Sequence, residues 1–209
     1  TIISDKRISP FLQLKKIARK KNLNLLDIDK ELEKIKNIFM RTTSDFKIKN
    51  LAMAIKAVKL CGLKDKYIYR VLKNLKDING RLELVKKYPN DVKVFIDYAH
   101  TPDALLKTLN FLKNNYGNNI ILVFGCGGER DKKKRPLMAE IANDYCKKIY
   151  VTDDNPRNEN PKKIRNVLIN YIDKNKVFDV GDRKAAIEKA IQNAKNAQKE
   201  ERARVKSIS

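Results

Sequence analysis

Three short stretches of the chain collect residues able to do chemistry. In Asp97-Tyr98-Ala99-His100-Thr101-Pro102-Asp103, two carboxylates lie beside the only histidine of the sequence. A carboxylate holds ribose hydroxyls or hydrated cations, and a neutral imidazole donates to phosphate or orients water. Asp103 is equally suited to cap a following helix, and a single histidine behind a strand is often a packing residue. In Gly125-Cys126-Gly127-Gly128-Glu129-Arg130-Asp131, followed by KKKRPLM, the glycines let a ligand approach the backbone closely. Arg130 beside a helix N-terminus adds N–H groups and positive charge for an anion. This is not a dinucleotide fingerprint, because Arg130 occupies the place of the third glycine in G-x-G-x-x-G, and G-x-x-x-x-G-K-[ST] occurs nowhere in the chain. The choice is between a site for a carboxylate-like anion and a plain tight turn. In Thr152-Asp153-Asp154-Asn155-Pro156-Arg157, neighbouring Asp, Asn and Arg could hold an ammonium, a polar group and a carboxylate, which together describe an amino acid. The same D-D-N-P string is also an ordinary turn.

What would position these loops is a regular alternation of elements. VKVFID (92–97), NIILVFG (119–125) and KKIYVT (147–152) are short, apolar and β-branched, as strands covered on both faces must be. Between them, DALLKTLNFLKNNYG presents Leu105, Leu109 and Leu112 at helical spacing, and KRPLMAEIANDYC presents Leu137, Ile141 and Ala142. A helix PKKIRNVLINYI, a strand KVFDV and a helix DRKAAIEKAIQNAK complete the series. Short connections between alternating elements imply an α/β fold with a Rossmann-like, doubly wound, mostly parallel sheet. All three loops should then open at the carboxyl ends of strands, where such sheets bind ligands.

Upstream, KRISPFLQLKKIARKKN reads as a helix and LNLLDID as a short strand. KNLAMAIKAVKLC (49–61) is a helix carrying Leu51, Ala54, Ile55 and Val58 and stopping at Gly62, followed by a helix over about 65–76 and a turn at DING (77–80). The expected division is residues 1–84, the end of one domain; 85–195, a second domain; and 196–209, a frayed helix or disordered tail.

Composition narrows the partners. The chain has 209 residues with 47 Lys and Arg against 25 Asp and Glu, a formal charge of +22. The basic residues are mostly Lys and are spread over every segment, without an Arg-rich stripe or aromatic interleaving. A solvated Lys-rich surface explains this better than a nucleic-acid partner, and a positive field would also steer anionic substrates toward a cleft. Cys61, Cys126 and Cys146 are odd in number and lack metal-ligand spacing, so neither a disulfide framework nor a zinc site is expected. With no membrane-length apolar run and no signal-peptide pattern, the expectation is a cytoplasmic, monomeric protein.

In order and spacing, DYAHTPDAL (97–105), FGCGGERDKKKRPLM (124–138) and TDDNPRNENP (152–161) resemble the C-terminal domain of a Mur ligase family, the UDP-N-acetylmuramoyl-L-alanyl-D-glutamate:meso-2,6-diaminopimelate ligases. DFKIKNLAMAIKA (45–57) resembles the end of the family's central ATPase domain, and NGRLELV (79–85) its domain junction. The resemblance is strong over 79–161, extends over 42–195, and is faint in the first forty residues. It implies that Arg130, Asp154, Asn155 and Arg157 recognise meso-diaminopimelate. It also implies that Asn50, Arg81, Asp97, Tyr98 and His100 line the ATP side. The implied reaction transfers the γ-phosphoryl of Mg-ATP to the D-glutamate γ-carboxylate of the UDP-N-acetylmuramoyl dipeptide. The diaminopimelate amine then attacks the acyl phosphate, in peptidoglycan synthesis. No catalytic or metal-binding residue of that mechanism is assigned here, because the family's UDP-sugar domain, P-loop and G-K-G-H-E loop have no counterpart in the sequence. The expectation is a C-terminal part of such a ligase, inactive alone. The alternatives are a related Mur or folylpolyglutamate-type ligase with another amino acid, and a non-enzymatic anion-binding module.

Overall fold

The computed structural model describes residues 1–38, 45–72, 74–76 and 78–206. They form two compact units, 1–76 and 77–209.

In the first unit, β1 (Ile2–Ser4) pairs in parallel with β2 (Leu25–Asp27) through α1 (Phe11–Lys20). Three helices follow: α2 (Asp29–Ile38), α3 (Asp45–Leu60) and α4 (Asp65–Leu72). Their core is Ile28, Leu32, Ile35, Ile48, Ala52, Ile55, Ile68 and Leu72. The buried face of α3 is therefore Ile48, Ala52 and Ile55, while Ala54, expected inside, is exposed. Both phases satisfy a 3.6-residue period, and packing against α2 selects the one that carries Ile48. α3 ends where expected: Leu63 N–H donates to Val58 O (3.1 Å) and Gly62 N–H to Lys59 O (2.9 Å). This left-handed cap, with Gly62 at φ 89°, is where a Cβ would be strained. The turn expected at 77–80 closes with Arg81 N–H on Ile78 O (3.1 Å); its first residue, Asp77, lies outside the described residues.

The second unit begins with a hairpin, β3 (Glu83–Lys87) antiparallel to β4 (Lys93–Ile96), with an irregularity between Leu84 and Lys86. The sequence offered 92–97 as the first strand of the parallel series. Among the described residues β4 pairs with β3 instead, because the tight turn over 88–92 delivers β3 straight to its edge. β3 itself, ELVKK, is too charged and short to announce itself by alternation.

α5 (Pro102–Tyr116), β5 (Ile121–Phe124), α6 (Lys134–Tyr145), β6 (Lys148–Val151), α7 (Pro161–Ile169), β7 (Val177–Asp179) and α8 (Arg183–Lys206) complete the chain. The strands form a parallel sheet in the order β5-β6-β7. Alternation then assigns the two faces. Phe124, Ile149 and Val151 pack with Leu105 and Leu109 of α5, Met138, Ala139 and Ala142 of α6, and Ile164 and Leu168 of α7. On the other face Tyr150, Ile121 and Val123 meet Ala186 and Ala190 of α8. Helices thus cover both faces, as expected of a Rossmann-like α/β domain. Leu137, expected to be buried, is half exposed; the face that α6 turns to the core it shares with α5 and α7 is Met138, Ala139 and Ala142. The tail is continuous with α8 up to Lys206.

Candidate functional site

The loop behind β4 is built around one carboxylate. Asp97 Oδ2 accepts from Leu82 N–H (2.7 Å), and Oδ1 accepts from Ala99 N–H (2.9 Å) and the Thr108 hydroxyl (3.2 Å). It thereby fastens the start of the hairpin, where Leu82 holds φ 49°, to the first turns of α5. The helix cap is Thr101, whose Oγ1 accepts from Ala104 N–H (3.3 Å), with Pro102 in the first turn. Asp103, the cap expected from sequence, instead pairs with Lys107 at 2.6 Å. A polar face remains outside: the Arg81 guanidinium lies 4.3 Å from the Tyr98 ring centre, and Tyr98 meets His100 edge-on at 5.0 Å. Tyr98 is 63% exposed. Asn50, the remaining residue expected on the nucleotide side, lies in the first unit on the exposed face of α3.

The loops behind β5 and β6 are built on each other. Gly128 N–H donates to Asn155 O (2.8 Å), and Arg157 Nη1 donates to Gly128 O (2.6 Å). The approach is so close that a Cβ on Gly128 would lie 1.8 Å from Pro156 O, and one on Gly125 would lie 2.2 Å from Thr152 O. The glycine-rich string is thus required by a neighbouring loop as well as open to a ligand. A side-chain tie reinforces the backbone one. Arg135, 3% exposed, donates to both Glu159 oxygens at 3.0 Å and to Gly127 O at 3.2 Å. Glu129 N–H adds a 2.6 Å bond to Glu159 Oε1. The Arg135 fork first, then the Glu129 N–H, hold the Glu159 carboxyl down at about 2. Neither Arg135 nor Glu159 was singled out from sequence. The available signal was a glutamate following D-N-P-R and an arginine opening α6, opposite charges on segments that the fold brings together.

Beneath the loops, Thr152 is 1% exposed and its hydroxyl donates to Gly181 O (2.9 Å). Arg165 bridges Asp153 and Asp179. Cys126 is buried with its Sγ 3.9 Å from Met138 Sδ, and burial pushes its thiol up, so it is a packing residue and not a poised nucleophile.

Arg130, Asp154, Asn155 and Arg157 are exposed. Among the described residues Arg130 makes no hydrogen bond or ion pair. Asp154 Oδ1 accepts from Asn155 N–H (2.8 Å) and faces Arg183 at 3.8 Å. Asn155 Oδ1 accepts from Arg157 N–H (3.3 Å), leaving the Asn155 amide NH₂ available, and Arg157 takes φ 50°. The β5 and β6 loops therefore bring Arg130, Asp154, Asn155 and Arg157 to one edge of the sheet. Lys134 Nζ donates to His100 O (2.7 Å), placing the Tyr98–His100 loop beside the same connection.

Residues 80–199, more than half of the chain, match the family model of the Mur ligase, glutamate ligase domain. The UDP-N-acetylmuramoyl-L-alanyl-D-glutamate–2,6-diaminopimelate ligase of Chelativorans sp. (strain BNC1) is 35% identical over 185 residues, which is 88% of this chain and 38% of that protein. The protein of the same name from Rickettsia bellii (strain RML369-C) is 42% identical over 152 residues, 72% of this chain and 31% of its own length. The chain spans about a third of the length of these relatives. A folylpolyglutamate synthase from Mycobacterium tuberculosis, solved in complex with ADP, superimposes with a TM-score of 0.62 at 19% identity, over 74% of this chain and 34% of that one, a likeness of fold.

Proposed function

Because the chain belongs to the Mur ligase family through its glutamate ligase domain, we propose that it carries the amino-acid recognition face of a ligase joining meso-diaminopimelate to UDP-N-acetylmuramoyl-L-Ala-D-Glu. The reaction would be ATP-dependent and belong to cytoplasmic peptidoglycan synthesis. The observation that carries this reading is the unpaired, exposed Arg130 beside a D-N-P-R loop to which its own loop is fastened.

Each group then has a part. Arg130 and the unused donors of Arg157 bind the carboxylate at the far end of diaminopimelate, and Asp154 holds the ammonium beside it. The Asn155 amide completes the hydrogen bonding and orients the amino acid. The opposite amine is then presented to an acyl phosphate, so the contribution is positioning more than covalent chemistry. Lysine has the same chain and amines but lacks the second carboxylate, so it leaves both arginines unanswered.

On the nucleotide side, Arg81, Tyr98 and His100 offer a cationic and aromatic face to ATP, and Asp97 acts through the loop it holds. Among the described residues no group of three or more His, Cys, Asp or Glu is arranged to hold a metal ion. Among the described residues no helix is long and apolar enough to cross a membrane.

Calorimetric titration of the chain with meso-diaminopimelate and with L-lysine, at one ionic strength, tests the reading. Lysine should bind at least about tenfold more weakly, the loss of a charge-assisted carboxylate pair. Equal binding of the two would remove the assignment of Arg130 and Arg157. A steep fall of oligonucleotide binding with salt, without any preference between the amino acids, would favour a simple anion-binding module.

A further inference from the structure

Arg130 has no partner among the described residues, yet it must be aimed if it is to choose between ligands. A long side chain in water loses rotamer entropy on binding, and a loop that fixes the backbone at its root reduces that cost. The root here is Glu129, which takes φ 50°, a left-handed conformation that a non-glycine residue keeps only when its surroundings hold it. Its N–H donates to Glu159 Oε1 at 2.6 Å, and its own carboxylate accepts from Asn158 Nδ2 at 2.8 Å.

Glu159 is itself held from the other side. Arg135, anchored in α6 and almost fully buried, grips both of its oxygens, and Lys132 approaches at 3.5 Å. One carboxylate from the β6–α7 loop thus gathers the Glu129 backbone N–H, the Arg135 fork and Lys132, all from the β5–α6 connection and its helix. Its charge is matched by Arg135, so it adds little repulsion toward an anionic ligand at Arg130.

We infer that Glu159, gripped by Arg135, is a positioning residue that aims Arg130 and so sets the preference for an amino acid with a second carboxylate. The inference rests on the diaminopimelate reading for its ligand, but its geometric part, the hold on Glu129, is measurable without ligand. Glu159 touches no ligand in this scheme; it acts through the Glu129 peptide.

The test compares the unsubstituted chain with Glu159→Ala and Glu159→Gln. Nitrogen-edited NMR follows the Glu129 amide, and titrations follow meso-diaminopimelate and lysine. A charge-assisted bond to a carboxylate should place the Glu129 amide proton well downfield. Glu159→Ala should abolish that shift and weaken meso-diaminopimelate about tenfold, the worth of a hydrogen bond to a charged group, while lysine changes less than about twofold. Glu159→Gln keeps an acceptor oxygen for the amide and should fall between; it also carries the test if the alanine variant does not fold. An unmoved Glu129 amide, or equal weakening of both ligands, overturns the inference. If the unsubstituted chain shows no preference for meso-diaminopimelate, the proposed function fails, and the Glu129 amide alone then decides whether Glu159 positions the loop.

Discussion

Asp97 behind β4 and Arg130 behind β5 are both charged residues in loops at strand ends, but the fold uses one and leaves the other to solvent. Asp97 accepts three hydrogen bonds and joins a hairpin to a helix, so the reactive-looking carboxylate of its loop is largely committed to structure. Arg130 makes no hydrogen bond or ion pair among the described residues because its neighbours do the fastening: the Gly128 N–H, the Gly128 and Gly127 carbonyls, the Glu129 N–H and the Arg135–Glu159 pair. A recognition group stays available where backbone and second residues meet the structural need, and it is consumed where it must meet that need itself.

The comparison breaks most visibly if the fastening of the second region is removed. Gly128→Ala puts a Cβ against Pro156 O and should cost about 3 kcal/mol, with loss of any amino-acid preference. The urea midpoint reads the first effect and titration the second. A midpoint like that of the parent chain would mean that the two loops are not in contact. Next in size, Asp97→Ala should cost about 2 kcal/mol by leaving the Leu82 and Ala99 N–H groups without their acceptor, while the meso-diaminopimelate to lysine ratio is kept. A changed ratio would show that the two regions are not separable.

Acid should sharpen the contrast. Glu159 is held at about 2 against an ordinary 4.5, so its contribution is full above about pH 4.5 and disappears as pH falls toward 2. Asp5 in the first unit has a similar value: burial pushes it up, but the Arg7 side chain and N–H, with Lys49, pull it down further to about 2. Global unfolding in acid therefore mixes both groups. The protection of the Glu129 amide, its exchange rate divided into the intrinsic rate at each pH, follows the Glu159 bond locally; it should be constant above about pH 4.5 and fall as pH drops toward 2, ahead of amides in the first unit. The smallest expected effect is Tyr98→Ala. This stack is exposed, and its loss should change stability by less than about 1 kcal/mol, read as an almost unmoved melting curve. A large drop would mean that the Arg81–Tyr98–His100 face is structural, like Asp97.

Local pattern was enough for much of this molecule. The β-branched runs at 92–97, 119–125 and 147–152, the helices between them, the stop at Gly62 and the three loops at strand ends all follow from periodicity and turn chemistry carried by neighbouring residues. What needed the tertiary structure is non-local. Whether β4 joins the parallel sheet or pairs with β3 depends on which edge reaches it first, and ELVKK gives no period to reveal it. Which of two acceptable faces α3 and α6 bury depends on the neighbours they meet. Arg135 and Glu159 are 24 residues apart, so no short-range spacing connects them. By charge type alone Asp97 and Arg130 could both act; only the partners delivered by folding decide which one remains able to.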